Sequence, residues 1–124
     1  MRSSPPKSVN RRTEWKDLFF QFFFVNYDMR NKTFYVYILS SFKKVLYVGI
    51  TSNLRKRIWE HREGVVSVFT KKYNIKMLVY YGLHDNSEIA IQREKQLKRW
   101  RKEKKINLIE SINPEWKDLY EELY

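Results

Sequence analysis

Three side chains of this sequence carry chemistry at positions where a helix would face its own core. Leu54, Arg57, Ile58 and His61 fall at i, i+3, i+4 and i+7, one face of an α-helix. Leu54 and Ile58 mark that face as apolar, so Arg57 and His61 lie on or beside the core stripe, while Arg55, Lys56 and Arg62 serve the solvent side. In a later segment Ala90, Ile91, Glu94 and Leu97 share a face by the same spacing, which places a carboxylate on an apolar stripe. A charge there needs a partner or a ligand. A buried Arg57–Glu94 ion pair, or side chains snorkelling to the edge, would meet that need without any function. Phosphoryl transfer would use the same set, because it needs a cation for the phosphate, a carboxylate for a divalent metal and a base for water.

Other chemistries are excluded by composition. The sequence has no Cys, which removes disulfides, thiolate zinc sites and cysteine nucleophiles. Two His cannot make a His-rich metal site, and three Gly cannot build a phosphate-binding loop or a dinucleotide fingerprint. No apolar run approaches the roughly 20 residues that cross a bilayer.

Charge points to the partner. Lys and Arg number 25 against 14 Asp and Glu, a formal net charge of +11, so nucleic acid or an anionic surface is the first partner to consider. Residues 92–105 concentrate the excess in Arg93, Lys95, Lys98, Arg99, Arg101, Lys102, Lys104 and Lys105, and Lys71-Lys72 form a second cluster. A solvated helix face is the ordinary account of such a run. Surfaces usually intersperse both signs, however, and Trp100 and Tyr73 add faces on which unpaired bases could stack. Lys71, Lys72, Arg93, Lys98, Arg99, Arg101 and Lys102 are therefore the candidate contacts to nucleic-acid backbone. Nothing indicates base readout.

The elements that must position these residues are short. A chain of 124 residues is one domain by length. Thr33–Leu39 and Val45–Thr51 read as strands, joined by a polar link over Ser40–Lys44 that suits a hairpin. Pairing Tyr37 with Tyr47 would set Leu39 against Val45 and Tyr35 against Gly49. Tyr35, Tyr37, Tyr47 and Gly49 then share one face. Ser52 or Asn53 caps a helix to about Arg62, with Gly64 as its stop. Met77–Tyr81 reads as a third strand. Asn86 or Ser87 caps a second helix to about Trp100, with Glu88 as a favourable first-turn acid. Arg101–Glu110 continues as helix, either unbroken or after a break, until Asn113-Pro114, and Trp116–Leu119 forms a last turn. The order ββαβαα gives an α/β (α+β) fold, a small three-stranded antiparallel sheet flanked by helices.

Residues 1–28 read as an N-terminal extension, poorly ordered or a translated leader, with the domain over 29–124. Met1–Asn10 is rich in Ser and Pro, and the aromatic run Phe19–Val25 has neither helical nor strand period. That run would be an aggregation hazard unless it docks on the domain or on a partner. It lacks the long apolar core and cleavage site of a secretory signal. Glu14-Trp15-Lys16-Asp17-Leu18 recurs as Glu115-Trp116-Lys117-Asp118-Leu119, which hints at a remnant of a tandem copy.

Taken in order, these residues resemble the GIY-YIG nuclease family. Val36-Tyr37-Ile38 matches the first half-motif and Tyr47-Val48-Gly49 the second. Thr51 to Ile58 is similar to the family's strand-to-helix segment, which contains its catalytic arginine, here Arg57. His61 stands where members carry His or Tyr, and Glu94 where they carry a metal-binding glutamate. The similarity covers about residues 33–120 and is closest to the small single-domain bacterial branch related to the nuclease domain of the excision-repair protein UvrC.

The resemblance implies a DNA endonuclease that hydrolyses phosphodiesters with one Mg²⁺ or Mn²⁺ ion and no organic cofactor, in the cytoplasm of a bacterium and in the orbit of DNA repair. Glu94 would hold the ion, as suits magnesium, which keeps much of its hydration. Arg57 would neutralise the phosphate. Tyr47 would lie near the attacking water, supported by Tyr37 and His61. A tyrosine acts as a base only if neighbours lower its pKa from about 10. The sequence departs from the family in Val36 and Val48, and in Ile50, where some relatives carry Lys after the Gly. A late asparagine often lies near the family's site, for which Asn113 is preferred over Asn107; Asn113 could equally form a turn with Pro114. The alternative function is a DNA-binding module of the same fold without turnover.

Overall fold

The computed structural model describes residues 33–123. The expectations for residues 1–28 lie outside the described residues. Strands β1 (Phe34–Ser40), β2 (Leu46–Thr51) and β3 (Met77–His84) form an antiparallel sheet in the order β2-β1-β3. Helices α1 (Leu54–Arg62) and α2 (Val68–Lys72) lie between β2 and β3; α3 (Ser87–Arg99), α4 (Lys102–Ile112) and a 3₁₀ turn (Leu119–Glu122) follow. The expected α+β architecture is what the chain adopts, with α2 added.

The central strand β1 is buried on both faces, and its alternation sorts the core into two layers. Val36 and Ile38 face Ala90 and Leu97 of α3 and Ile109 of α4. Tyr37 and Leu39 face Leu54 and Ile58 of α1, with Leu78 and Ile75. Both helices that carry candidate site residues therefore pack on the sheet, from opposite sides.

The hairpin register differs from expectation by two residues: Tyr37 pairs with Gly49, Leu39 with Tyr47 and Tyr35 with Thr51. The cause is the turn. The Ser41 hydroxyl accepts hydrogen bonds from the amides of Lys43 (3.2 Å) and Val45 (3.0 Å), and Lys44 takes a positive φ of 65°, which centres the loop on Lys43, one residue later than assumed. A shift of two preserves which face each side chain occupies, so the tyrosine face survives.

Other boundaries also move. Strand β3 runs on to His84 because the first half of β1 is free to pair with it, Phe34 with His84 and Val36 with Gly82. Between Ile38 and Leu39 the ladder shifts, leaving Val79 without an opposite residue, a β-bulge. The helical run over 87–112 breaks at Trp100, whose ψ of 149° is extended. The expected turn over Trp116–Leu119 forms instead at Leu119–Glu122, capped by the Asp118 carboxylate, which also accepts the Leu78 amide at 3.1 Å and so clips the terminus to the edge strand β3. Asn53 and Asn86 act as helix caps, and Gly64, at φ 75°, ends α1.

Candidate active site

Gly49 sits opposite Tyr37 in the ladder, and the Tyr37 phenol lies across it. A Cβ at Gly49 would overlap the phenol ring and hydroxyl. The glycine is required by this close approach, and it aims the Tyr37 hydroxyl toward α1. There the hydroxyl hydrogen bonds His61 Nε2 at 3.0 Å. His61 reaches this point because α1 packs Leu54 and Ile58 onto the sheet, which turns the residue seven after Leu54 inward. The imidazole is buried, with its edge against Tyr37 (centroids 5.8 Å apart) and Tyr47 (5.0 Å). Two tyrosines and a histidine thus meet at one point on the sheet.

Burial sets the protonation of Tyr37 and His61. It pushes the Tyr37 pKa well above 10, with the neighbouring Tyr47 adding to the rise against the opposing Arg57 charge. Tyr37 is therefore a neutral phenol at physiological pH. Burial, helped by the Arg57 charge, lowers His61 to about 3, so its imidazole is neutral too.

Arg57 is half-buried, with its Nε 3.5 Å from Glu60 one turn on. It does not pair with Glu94, so the buried Arg57–Glu94 ion pair, one of the two functionless accounts, is not formed; Arg57 pairs with Glu60 and Glu94 with Lys98. The Lys98 ammonium stands 2.8 Å from Glu94 Oε2, while Oε1 has no partner among the described residues. Glu94 is nevertheless wholly buried. A carboxylate in this condition is costly to the fold and suits a cation. Among the described residues no three His, Asp or Glu side chains cluster, so the remaining donors to any ion would be water and substrate oxygens. That donor set fits one hydrated magnesium or manganese ion.

Asn113 does something else. Its Nδ2 donates to the Val79 carbonyl at the bulge (3.1 Å) and to the Lys117 carbonyl (2.8 Å), and its Oδ1 accepts the Lys117 amide (2.9 Å). The side chain is fully engaged in fastening the chain terminus to β3, which accords with the turn reading.

The basic candidates divide. Lys71, Lys72, Arg99, Arg101 and Lys102 are exposed. Lys98 serves Glu94. Arg93 donates to Gln96 at 2.6 Å and lies over the Trp100 ring, which Lys104 also faces at 4.4 Å. Trp100 packs against the core and carries these cations, so it is a poor stacking platform. Tyr73 is 43% exposed and packs on Phe69 at 4.9 Å, beside Lys72.

Sequence reasoning missed Thr70. It is fully buried, its hydroxyl lies 3.2 Å from His61 Nδ1, and it belongs to α2, a helix of five residues with no periodic signal. Ser67, an N-cap residue type before an apolar pair, was the available clue.

The model of the GIY-YIG catalytic domain matches residues 33–107. The chain belongs to the GIY-YIG family. A UPF0213 protein of Syntrophus aciditrophicus is 38% identical over 82 residues, 65% of this chain and 93% of that one. A UPF0213 protein of Haloquadratum walsbyi is 32% identical over 80 residues, 64% of this chain and 90% of that one. The solution NMR structure of a UPF0213 protein from Bacillus halodurans covers 69% of this chain and 92% of its own, at 26% identity and a TM-score of 0.47. These GIY-YIG relatives are small, since most of each is matched by a single domain. Among the described residues no helix is long and apolar enough to cross a membrane.

Proposed function

We propose that this GIY-YIG protein is a divalent-metal-dependent endonuclease that hydrolyses DNA phosphodiester bonds. The observation that carries this reading is the meeting of Tyr37, Tyr47 and His61 beside Arg57, with a wholly buried Glu94 whose Oε1 has no partner among the described residues. Membership of a family defined by its catalytic domain supports it.

Each residue has a task. Arg57 receives the scissile phosphate, because its side chain is only partly buried and its 3.5 Å Glu60 contact is long enough to yield. Glu94 would hold one Mg²⁺ or Mn²⁺ ion, which when bound supplies Lewis-acid stabilisation of phosphate charge. Tyr47 orients the attacking water. The proton that this water sheds as its oxygen bonds to phosphorus passes into the Tyr37–His61 pair. Tyr37 is a relay rather than a base, since burial keeps it protonated. His61 is the acceptor, and phosphate binding at Arg57 offsets one of the two influences that depress its basicity. The bond from phosphorus to the departing nucleoside oxygen breaks as the new one forms.

The test is nicking of supercoiled plasmid by the full chain with Mg²⁺, Mn²⁺ or EDTA, beside Arg57→Ala. Nicking should need metal and fall at least hundredfold in Arg57→Ala, while salt-sensitive DNA retention falls only slightly. DNA retention without nicking in either metal would favour a binding module.

A further inference from the structure

In the proposed reaction His61 must offer Nε2 as an acceptor, and an isolated imidazole does not decide which nitrogen carries its proton. We propose that Thr70 is a positioning residue that holds His61 as the Nδ1–H tautomer, leaving Nε2 free to accept the Tyr37 proton. The catalytic consequence rests on the nuclease reading; the tautomer does not.

The direction of each hydrogen bond carries the inference. The Thr70 hydroxyl is 3.2 Å from the Ser67 carbonyl oxygen, which has no proton to give. The hydroxyl proton points to Ser67 because only that arrangement gives every proton in the chain an acceptor: with the ring proton on Nε2, the buried Tyr37 hydroxyl, whose one partner among the described residues is Nε2, would have nowhere to donate. Thr70 Oγ1 is then only an acceptor toward His61 Nδ1 at 3.2 Å, so Nδ1 must carry the ring proton. Nε2 is left as a lone pair, and across 3.0 Å the Tyr37 hydroxyl donates to it. The chain runs one way: Tyr37 to His61, His61 to Thr70, Thr70 to Ser67.

Thr70 is held for this task. Its amide donates to the Ser67 hydroxyl at 3.2 Å, and its carbonyl accepts the Ile75 amide at 2.8 Å. Amide, carbonyl and side chain are all engaged. On either side of it Val68, Phe69, Lys71 and Lys72 are exposed, so Thr70 is the one inward-facing residue of α2. A five-residue helix that buries a single polar side chain against a site histidine is explained by what that side chain does.

The test is ¹⁵N NMR of the full chain labelled at histidine. The sequence holds only two, His61 and His84, so a His84→Gln variant assigns the signals. The wild type should show a protonated Nδ1 and an unprotonated Nε2 at His61. Thr70→Val, which keeps the shape and removes the acceptor, should shift His61 toward the Nε2–H form and slow nicking about ten- to hundredfold. Thr70→Ser should restore both. A wild-type His61 protonated at Nε2 would overturn the proposal, as would Thr70→Val with an unchanged tautomer or an unchanged nicking rate after a tautomer shift. If Thr70→Val fails to fold, the wild-type and Thr70→Ser spectra decide. Absence of nicking in the wild type would count against the nuclease reading and leave the tautomer result standing.

Discussion

His61 is a histidine that the fold keeps neutral, and acid should reveal this. Its folded pKa, about 3, lies below the ordinary 6.5. Between those values the unfolded chain binds a proton that the buried imidazole refuses, so stability falls as pH drops through this window. The slope approaches about 1.4 kcal/mol per pH unit for one group. In urea unfolding from pH 7.5 to 5.0, His61→Gln should lack this component, and its stability should gain on the wild type as pH falls. A constant difference would show that His61 titrates normally in the fold. Tyr37, Tyr47, Arg57, His61 and Glu94 were legible in the sequence because they are polar or half-motif residues on faces that the surrounding Leu, Ile and Val define as core. Thr70 was not, since nothing in a threonine nine residues after a histidine announces that it will stand beside the ring.

At the scale of elements, strong periodicity was readable and local chemistry was not. The helices that carry His61 and Glu94 follow from their apolar spacing and their asparagine caps. The hairpin register depended on how one serine hydroxyl satisfies two turn amides, and α2 is too short to show a period. Asn113 had two readings from the sequence, and its three hydrogen bonds favour the architectural one. Asn113→Ala should cost about 2–4 kcal/mol, from lost bonds and buried backbone groups left unpaired. It should lower the unfolding midpoint while nicking per folded molecule stays near wild type at a permissive temperature. A large rate loss with unchanged stability would return Asn113 to the site.

For the whole molecule, the charge of +11 is distributed with purpose if DNA is the substrate. Lys71 and Lys72 lie exposed on the helix that supports His61, next to the proposed chemistry. Each removed phosphate contact should reduce the slope of log K against log salt by about 0.9 on duplex DNA. Lys71→Ala with Lys72→Ala should therefore flatten the salt dependence by nearly two, measured by titration at several salt concentrations. An unchanged slope would move the binding face elsewhere, with Arg99, Arg101 and Lys102 the exposed alternatives.

Glu94 joins the three scales, being one carboxylate on an apolar helix face, buried in a basic protein. If it is kept for catalysis, the fold bears it at a cost. The decisive measurement is Glu94→Gln, assayed in parallel for metal-dependent plasmid nicking and for thermal stability. The expected result is nicking reduced at least hundredfold with a midpoint equal to or above wild type, because the buried charge is gone and the shape is kept. Nicking that survives the substitution would contradict the assignment of Glu94 as the metal-holding residue, and a collapse in stability would show that its ion pair with Lys98 is structural.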